Sequence, residues 1–152
     1  MNVIPGWDQL PDTLTWKEKV SYLAAFMSAG PHSDKCPVEH QLGHGLYIRT
    51  ITIPAQQIFI GREHAEGHLM TLLKGSVILI RPERKIRYDA VKSLITSVGF
   101  QAVAYTLTDV VVQTVHGNPD GLEDTQVIED RVFRPAEKTL EAGRLLMQRF
   151  LA

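Results

Sequence analysis

The stretch "GREHAEGHLMTLLKG", residues 61–75, sets two histidines and two glutamates at the head of a run that turns apolar and ends on a glycine. Imidazoles and carboxylates are the groups that bind divalent metals and move protons near neutral pH. Side chains alternate across an extended strand, so His64, Glu66, His68, Met70 and Leu72 are expected to face the same way. Met70 and Leu72 mark that side as the core-facing one. A third imidazole, His116, closes the run "DVVVQTVH" on the face of Val110, Val112 and Thr114. Where the two strand ends meet, three neutral nitrogens would converge with Glu66 beside them. Such a set suits divalent Zn, Fe, Mn or Ni and leaves positions open for water or a small molecule. Glu66 would then be a fourth ligand or a general base. Two other readings use the same residues: a ligand pocket in which they act as hydrogen-bond partners, and a polar cluster that only supports the fold. Arg62 shares the parity of His64 and suits bidentate capture of a phosphate or carboxylate. Arg49 and Tyr105 are candidate wall residues.

The remaining reactive side chains carry less. Cys36 is the single cysteine, in the loop "GPHSDKCPVEH", so no internal disulfide is available. A reducing interior, or a particle assembled in one, is its natural setting. His32, His40 and His44 match no zinc spacing and read as surface or interface residues.

These groups need a frame to position them. From Leu46 to His116 the chain reads as short strands: "LYIRTITI", "QQIFI", "HLMTLL", "SVILI", "SLIT", "QAVAYTL" and "DVVVQTVH". They are rich in β-branched and aromatic residues and broken by Pro54-Ala55, Gly75, Arg81-Pro82-Glu83 and Gly99. Seven or eight strands with no helical period between them predict a mainly β protein, a single antiparallel sandwich or barrel. Thr15-Trp16-Lys17-Glu18 matches a capping box and opens a helix, with Trp16, Val20, Leu23, Ala24 and Met27 on one face. Gly30-Pro31 stops it. After Gly117-Asn118-Pro119-Asp120-Gly121 comes an acidic stretch, "LEDTQVIED". A C-terminal helix follows Pro135, with Leu140, Met147 and Leu151 on one face and Gly143 as a weak point. The expected layout is 1–45 helix and connecting loop, 46–118 sandwich, and 119–152 acidic linker and C-terminal helix.

At 152 residues the chain suits one ordinary domain. Its 16 basic and 17 acidic residues are dispersed, so it lacks the basic stripe that nucleic-acid binding requires. No apolar run approaches a membrane span, and "MNVIPGWDQL" lacks the pattern of a secretion signal.

The strand-and-histidine pattern ending in "LLKG" resembles the first motif of the cupin superfamily, G(X)5HXH(X)3,4E(X)6G. Aligned on Gly75, the two motif histidines fall on Arg62 and His64, and the motif glutamate falls on His68. The second motif, G(X)5PXG(X)2H(X)3N, falls on "SVGFQAVAYT", with Ser97 for proline, Gly99 kept and Ala102 for histidine. The resemblance implies a cupin-like jelly roll, while two of the four usual ligand positions depart from the pattern. "LPDTLTWKEKVSYL", "CPVEHQLGHGLYIRTITIPA", "IGREHAEGHLMTLLKGSVIL" and "VVVQTVHGNPDGLEDTQVIED" look like small cupin-like proteins of tailed bacteriophages and prophages. That resemblance implies a host-cytoplasm or virion setting, a homo-oligomer, and a small molecule or other phage structural proteins as partners. Three functions follow as expectations. The leading one is a pocket binding a small ligand, a divalent metal or both. The second is a structural virion component such as a head-decoration, collar or tail protein. The third is a metal-dependent enzyme on a small substrate.

Overall fold

A computed structural model describes residues 10–30 and 36–151, the last without its side chain. Pro31, His32, the first nine residues and the Leu151 side chain lie outside the described residues. The chain divides into two compact units: 1–34 together with 135–152, and 35–134.

Among the described residues, the 35–134 unit holds nine strands and one helix. In chain order these are β1 (Val38–Gly43), β2 (Leu46–Ile53), β3 (Ile58–Ile60), β4 (His68–Lys74), β5 (Ser76–Ile80), β6 (Lys85–Asp89), β7 (Lys92–Thr96), β8 (Val103–Thr106), β9 (Val110–Gly117) and α2 (Thr125–Val132). They form two antiparallel sheets, β1-β2-β9-β4-β7 and β3-β8-β5-β6. Apart from the β1–β2 and β5–β6 hairpins, each strand is followed by one in the opposite sheet. This alternation, with β9 inserted between β2 and β4, is jelly-roll connectivity. The expected mainly β sandwich with a helix toward each terminus is what the structure contains.

Three elements differ from the sequence reading. Strands β1 and β6 and helix α2 are additional. Both strands lie at sheet edges, and β1 is exposed at all but its first residue. β1 buries too little of either face for an apolar alternation to mark it, whereas β6 does alternate, with Ile86 and Tyr88 half-buried between exposed charged residues over only five positions. His44 and Gly45 form the two-residue β1–β2 turn with φ of 51° and 77°, the double positive φ of a type I′ hairpin. Within the expected acidic linker, Asp124 caps α2 by accepting hydrogen bonds from the Gln126 and Val127 amides.

Ile53, Leu72 and Val110 form one buried cluster, with Phe59, Val77 and Val112 packed against it. Cys36 also packs there, and burial pushes its thiol pKa up, which suits an inert packing role. A second cluster joins Tyr47 of β2 to Ile128, Val132 and Phe133 in and after α2. Each such side chain contributes about 1.5–3 kcal/mol through burial, so α2 is fixed to the end of the sandwich where β2 begins.

The other unit pairs α1 (Trp16–Ala29) with α3 (Ala136–Leu151). The capping box is present: Thr15 Oγ1 accepts from the Glu18 amide at 3.2 Å, and Glu18 Oε2 accepts from the Thr15 amide at 2.7 Å. The buried α1 side chains are Val20, Ser21, Leu23 and Ala25: Val20 and Leu23 of the expected face are buried, whereas Trp16, Ala24 and Met27 are half-buried and Ser21 and Ala25 take their place. Small residues are buried because α3 approaches closely, and Gly143 lies against the Ser21 backbone. No helix among the described residues is long and apolar enough to cross a membrane.

A Cβ at Gly143 would fall on the Ser21 carbonyl. Alanine gains about 1 kcal/mol of helix propensity but forces the two backbones apart. Gly143→Ala is therefore expected to lower unfolding stability by about 1–3 kcal/mol net. A denaturation midpoint that rises instead would show that α1 and α3 do not meet there.

Candidate metal centre

The sheet register builds most of this site. Tyr47 on β2 lies opposite His116 on β9, and His68 on β4 lies opposite Thr96 on β7. Since Leu69 pairs with Val115, His68 and His116 are the next neighbours along the same ladder. Tyr47, His116, His68 and Thr96 thus form one inward-facing row across four adjacent strands. The expected alternation holds along β4, where His68 and Leu72 are buried and Leu69 and Leu73 are exposed.

His64 arrives by another route. Residues 61–67 are not a strand, which corrects the expectation that His64, Glu66 and His68 alternate along one. The His64 amide instead donates to the Phe100 carbonyl at 2.9 Å, and its carbonyl accepts from Gly99 at 2.8 Å. An antiparallel bridge joins His64 to Phe133, flanked by Ala65 N–H to Val132 O and Arg134 N–H to Glu63 O, both 2.8 Å. The chain after α2 is therefore laced to the histidine loop.

The three imidazoles meet. Ring centroids are 3.7 Å apart for His64 and His68, 4.9 Å for His68 and His116, and 5.5 Å for His64 and His116. One ring nitrogen from each lies within 4.8 Å of the others, and all three residues are buried. Phe133 packs edge-on to His64 at 4.8 Å, while Phe100 lies 6.2 Å from both His64 and His68.

Burial is the largest influence on their charge. It holds the His64 pKa down to about 2, reinforced by the neighbouring His68 and His116, then by Arg49 and Arg62. Burial likewise brings His116 down to about 4, with His68, Arg49 and Arg131 adding to it. His68 is also lowered by burial, against a smaller opposing effect of the Glu66 carbonyl. All three are neutral at pH 7, the state in which an imidazole nitrogen coordinates metal.

Their hydrogen bonding is incomplete. The Thr96 hydroxyl lies 2.8 Å from His68 Nδ1 and 3.1 Å from Nε2. His64 Nδ1 and both ring nitrogens of His116 are buried without a hydrogen-bond partner. Buried orphaned nitrogens are costly, and such groups call for an explanation. A divalent ion would satisfy one nitrogen from each ring, and a three-imidazole donor set suits Zn, Fe, Mn or Ni. The rings stack with interplanar angles of 10–23°, so their lone pairs run side by side. Holding one ion requires the rings to tilt toward it.

The other expected site residues are distributed unevenly. Glu66 Oε1 lies 3.8 Å from His116 Nδ1, with the carboxylate side chain 39% exposed, close enough to complete a ligand set. Arg49 and Arg62 both lay their guanidinium groups on the Phe133 ring, at 5.3 and 4.9 Å. Arg49 also pairs with Glu129 at 3.5 Å, and Arg62 donates to the Arg134 carbonyl. Tyr105 lies on β8 in the other sheet, paired with Ile58 and Ile78, and none of the histidines' ring contacts is with it. His40, expected as a surface or interface residue, is exposed and binds the Tyr47 hydroxyl at 2.6 Å through Nδ1. Burial and Glu129 push that phenol up to about 12, so it stays protonated. Thr96, Phe100 and Phe133 were not anticipated. Asp124, four residues before Ile128, is the signal that α2 would bring Phe133 here.

No family model matches the chain, and no curated protein matches it. Among solved structures it is similar to cupins. An RmlC-like cupin family protein with a double-stranded β-helix fold from Methanocaldococcus jannaschii is 11% identical, with 60% of this chain and 88% of that one covered and a TM-score of 0.47. A cupin superfamily protein from Desulfitobacterium hafniense is 11% identical over 71% and 94% of the two chains, TM-score 0.47. A cupin-2 domain protein from Shewanella frigidimarina is 7% identical over 69% and 94%, TM-score 0.43.

Proposed function

We propose that this protein is a jelly-roll binding protein that holds a divalent transition metal at His64, His68 and His116 and offers it to a small-molecule ligand. The observation that supports this reading is the set of three buried, neutral imidazoles with three ring nitrogens lacking any hydrogen-bond partner. A bound ion would supply an electrophilic anchor for an oxygen or nitrogen of the ligand. The protein's own residues have separate parts in this reading. Thr96 orients His68, Glu66 stands by as a fourth ligand or proton acceptor, and Phe133 with α2 keeps water from the rings. The sequence resemblance to phage and prophage proteins supports a host-cytoplasm or particle setting. A role in the virion is the second reading, favoured by the separate α1–α3 unit, which suits an attachment element.

Protein purified without chelator is expected to carry about one transition metal ion per chain by elemental analysis. The His64→Ala/His68→Ala double variant should lose that metal and remain folded by circular dichroism. Retained metal in the double variant would remove the site, and an unfolded double variant would make the histidines structural.

The same geometry sets a pH dependence. In the unfolded chain each imidazole binds a proton near pH 6.5, whereas folded His116 and His64 do so only near 4 and 2. The metal-free protein therefore keeps its full stability above about pH 6.5 and loses it as pH falls toward 4, by up to roughly 1.4 kcal/mol per pH unit for each histidine. Denaturation midpoints measured from pH 7.5 to 4.5 should show this slope, reduced in His64→Gln. An unchanged slope would mean that His64 is already protonated, or accessible to protons, in the folded state.

A further inference from the structure

A cleft of about 370 Å³ opens between the β5–β6 turn and β7, apart from the Arg49–Arg62–Phe133 side of the histidine cluster. Leu79 and Ile86 line it from one sheet and Leu94 from the other. Phe100 and Thr96 also line it, and both reach the histidines: Thr96 through its hydroxyl on His68, Phe100 through its ring. The cleft and the metal centre thus share a wall two side chains wide.

Charge at the cleft is cationic. Arg81 is half-buried and holds its guanidinium over the Phe100 ring, 5.1 Å from the centroid. Arg84 lines the cleft across the turn, where the Arg81 amide donates to the Arg84 carbonyl at 2.9 Å. Glu83 in the same turn offsets one of these two charges. Among the described residues, no carboxylate lies within ion-pair distance of Arg81 or Arg84. The lining is mixed, and a half-buried guanidinium beside the apolar side chains of Ile86 and Leu94 is complementary to an anion carrying an apolar body.

We propose that this cleft binds a small organic carboxylate with an apolar body. The carboxylate pairs with Arg81, and the body lies between Ile86 and Leu94. The inference deepens the metal-binding reading and rests on it only for what the bound molecule meets beyond Thr96. No bond is made or broken, and Arg81 is the specificity residue.

The test uses the full chain loaded with zinc, with anilinonaphthalene sulfonate as a fluorescent anionic probe. Phenylpropionate and the neutral phenylpropanol then compete for the dye. The acid is expected to displace it at concentrations about ten-fold lower than the alcohol, the margin of one charge-assisted hydrogen bond. Arg81→Gln should weaken dye binding about ten-fold and erase the acid's advantage, with zinc content unchanged. Equal displacement by acid and alcohol, or wild-type dye affinity in Arg81→Gln, overturns the proposal. Zinc content in the same samples separates the two readings. Zinc without a charge-selective cleft sinks only this inference, and a charge-selective cleft without zinc sinks only the metal centre.

Discussion

The position of β9 between β2 and β4 is the constraint on which the rest of the site depends. Its ladders set Tyr47, His116, His68 and Thr96 in one row on the inner face of the larger sheet. A strand alternates with a period of two, so a slip of one residue would turn His116 outward and bring Val115 in. The buried Val110 and Thr114 and the half-buried Val112 on the same face resist that slip, because each would be exchanged for a neighbour that faces the other way. The apolar core thereby sets the histidine geometry without touching the histidines.

Three clustered imidazoles are an awkward thing to bury. Each loses hydration; charging His64 is further opposed by His68, His116, Arg49 and Arg62, and charging His116 by His68, Arg49 and Arg131. The surrounding cations are directed elsewhere. Arg49 faces Glu129 and the Phe133 ring, Arg62 faces that ring and a carbonyl, and Arg131 donates to the Gly117 carbonyl. This keeps the rings neutral and their lone pairs available. Phe133 connects both features, as a platform for two guanidinium groups and an edge against His64 and His116.

The sequence carried the fold well where burial shapes composition. Seven strands with apolar or alternating faces were legible, as were the capping box and the convergence of His64, His68 and His116. Strand β1 was not, because it buries too little to leave a period; β6 was passed over although Ile86 and Tyr88 alternate with charged residues along its five positions. Helix α2 was hidden by its charge: of "TQVIEDRV", only Ile128 and Val132 are buried. The cleft beside Phe100 was equally hidden, since it arises where the edges of two sheets stand near each other and no local spacing records that. The cupin motif spacing does not contain the whole cluster, and His116 was read from its own strand. The third imidazole comes from β9, not from the region around Ala102, so fixed-spacing patterns pass over it.

His68 and His116 are adjacent through a ladder, and the chain joining them wanders through four strands and their turns before it returns. Pairing in the sheet, not contour length, sets how far apart the two rings stand. Turns such as Arg81–Arg84 can therefore be lengthened, shortened or rebuilt without displacing either ring. Thr96 and Phe100 serve both the imidazoles and the cleft, while the turn that carries Arg81 and Arg84 can vary apart from the ladder that sets His68 beside His116.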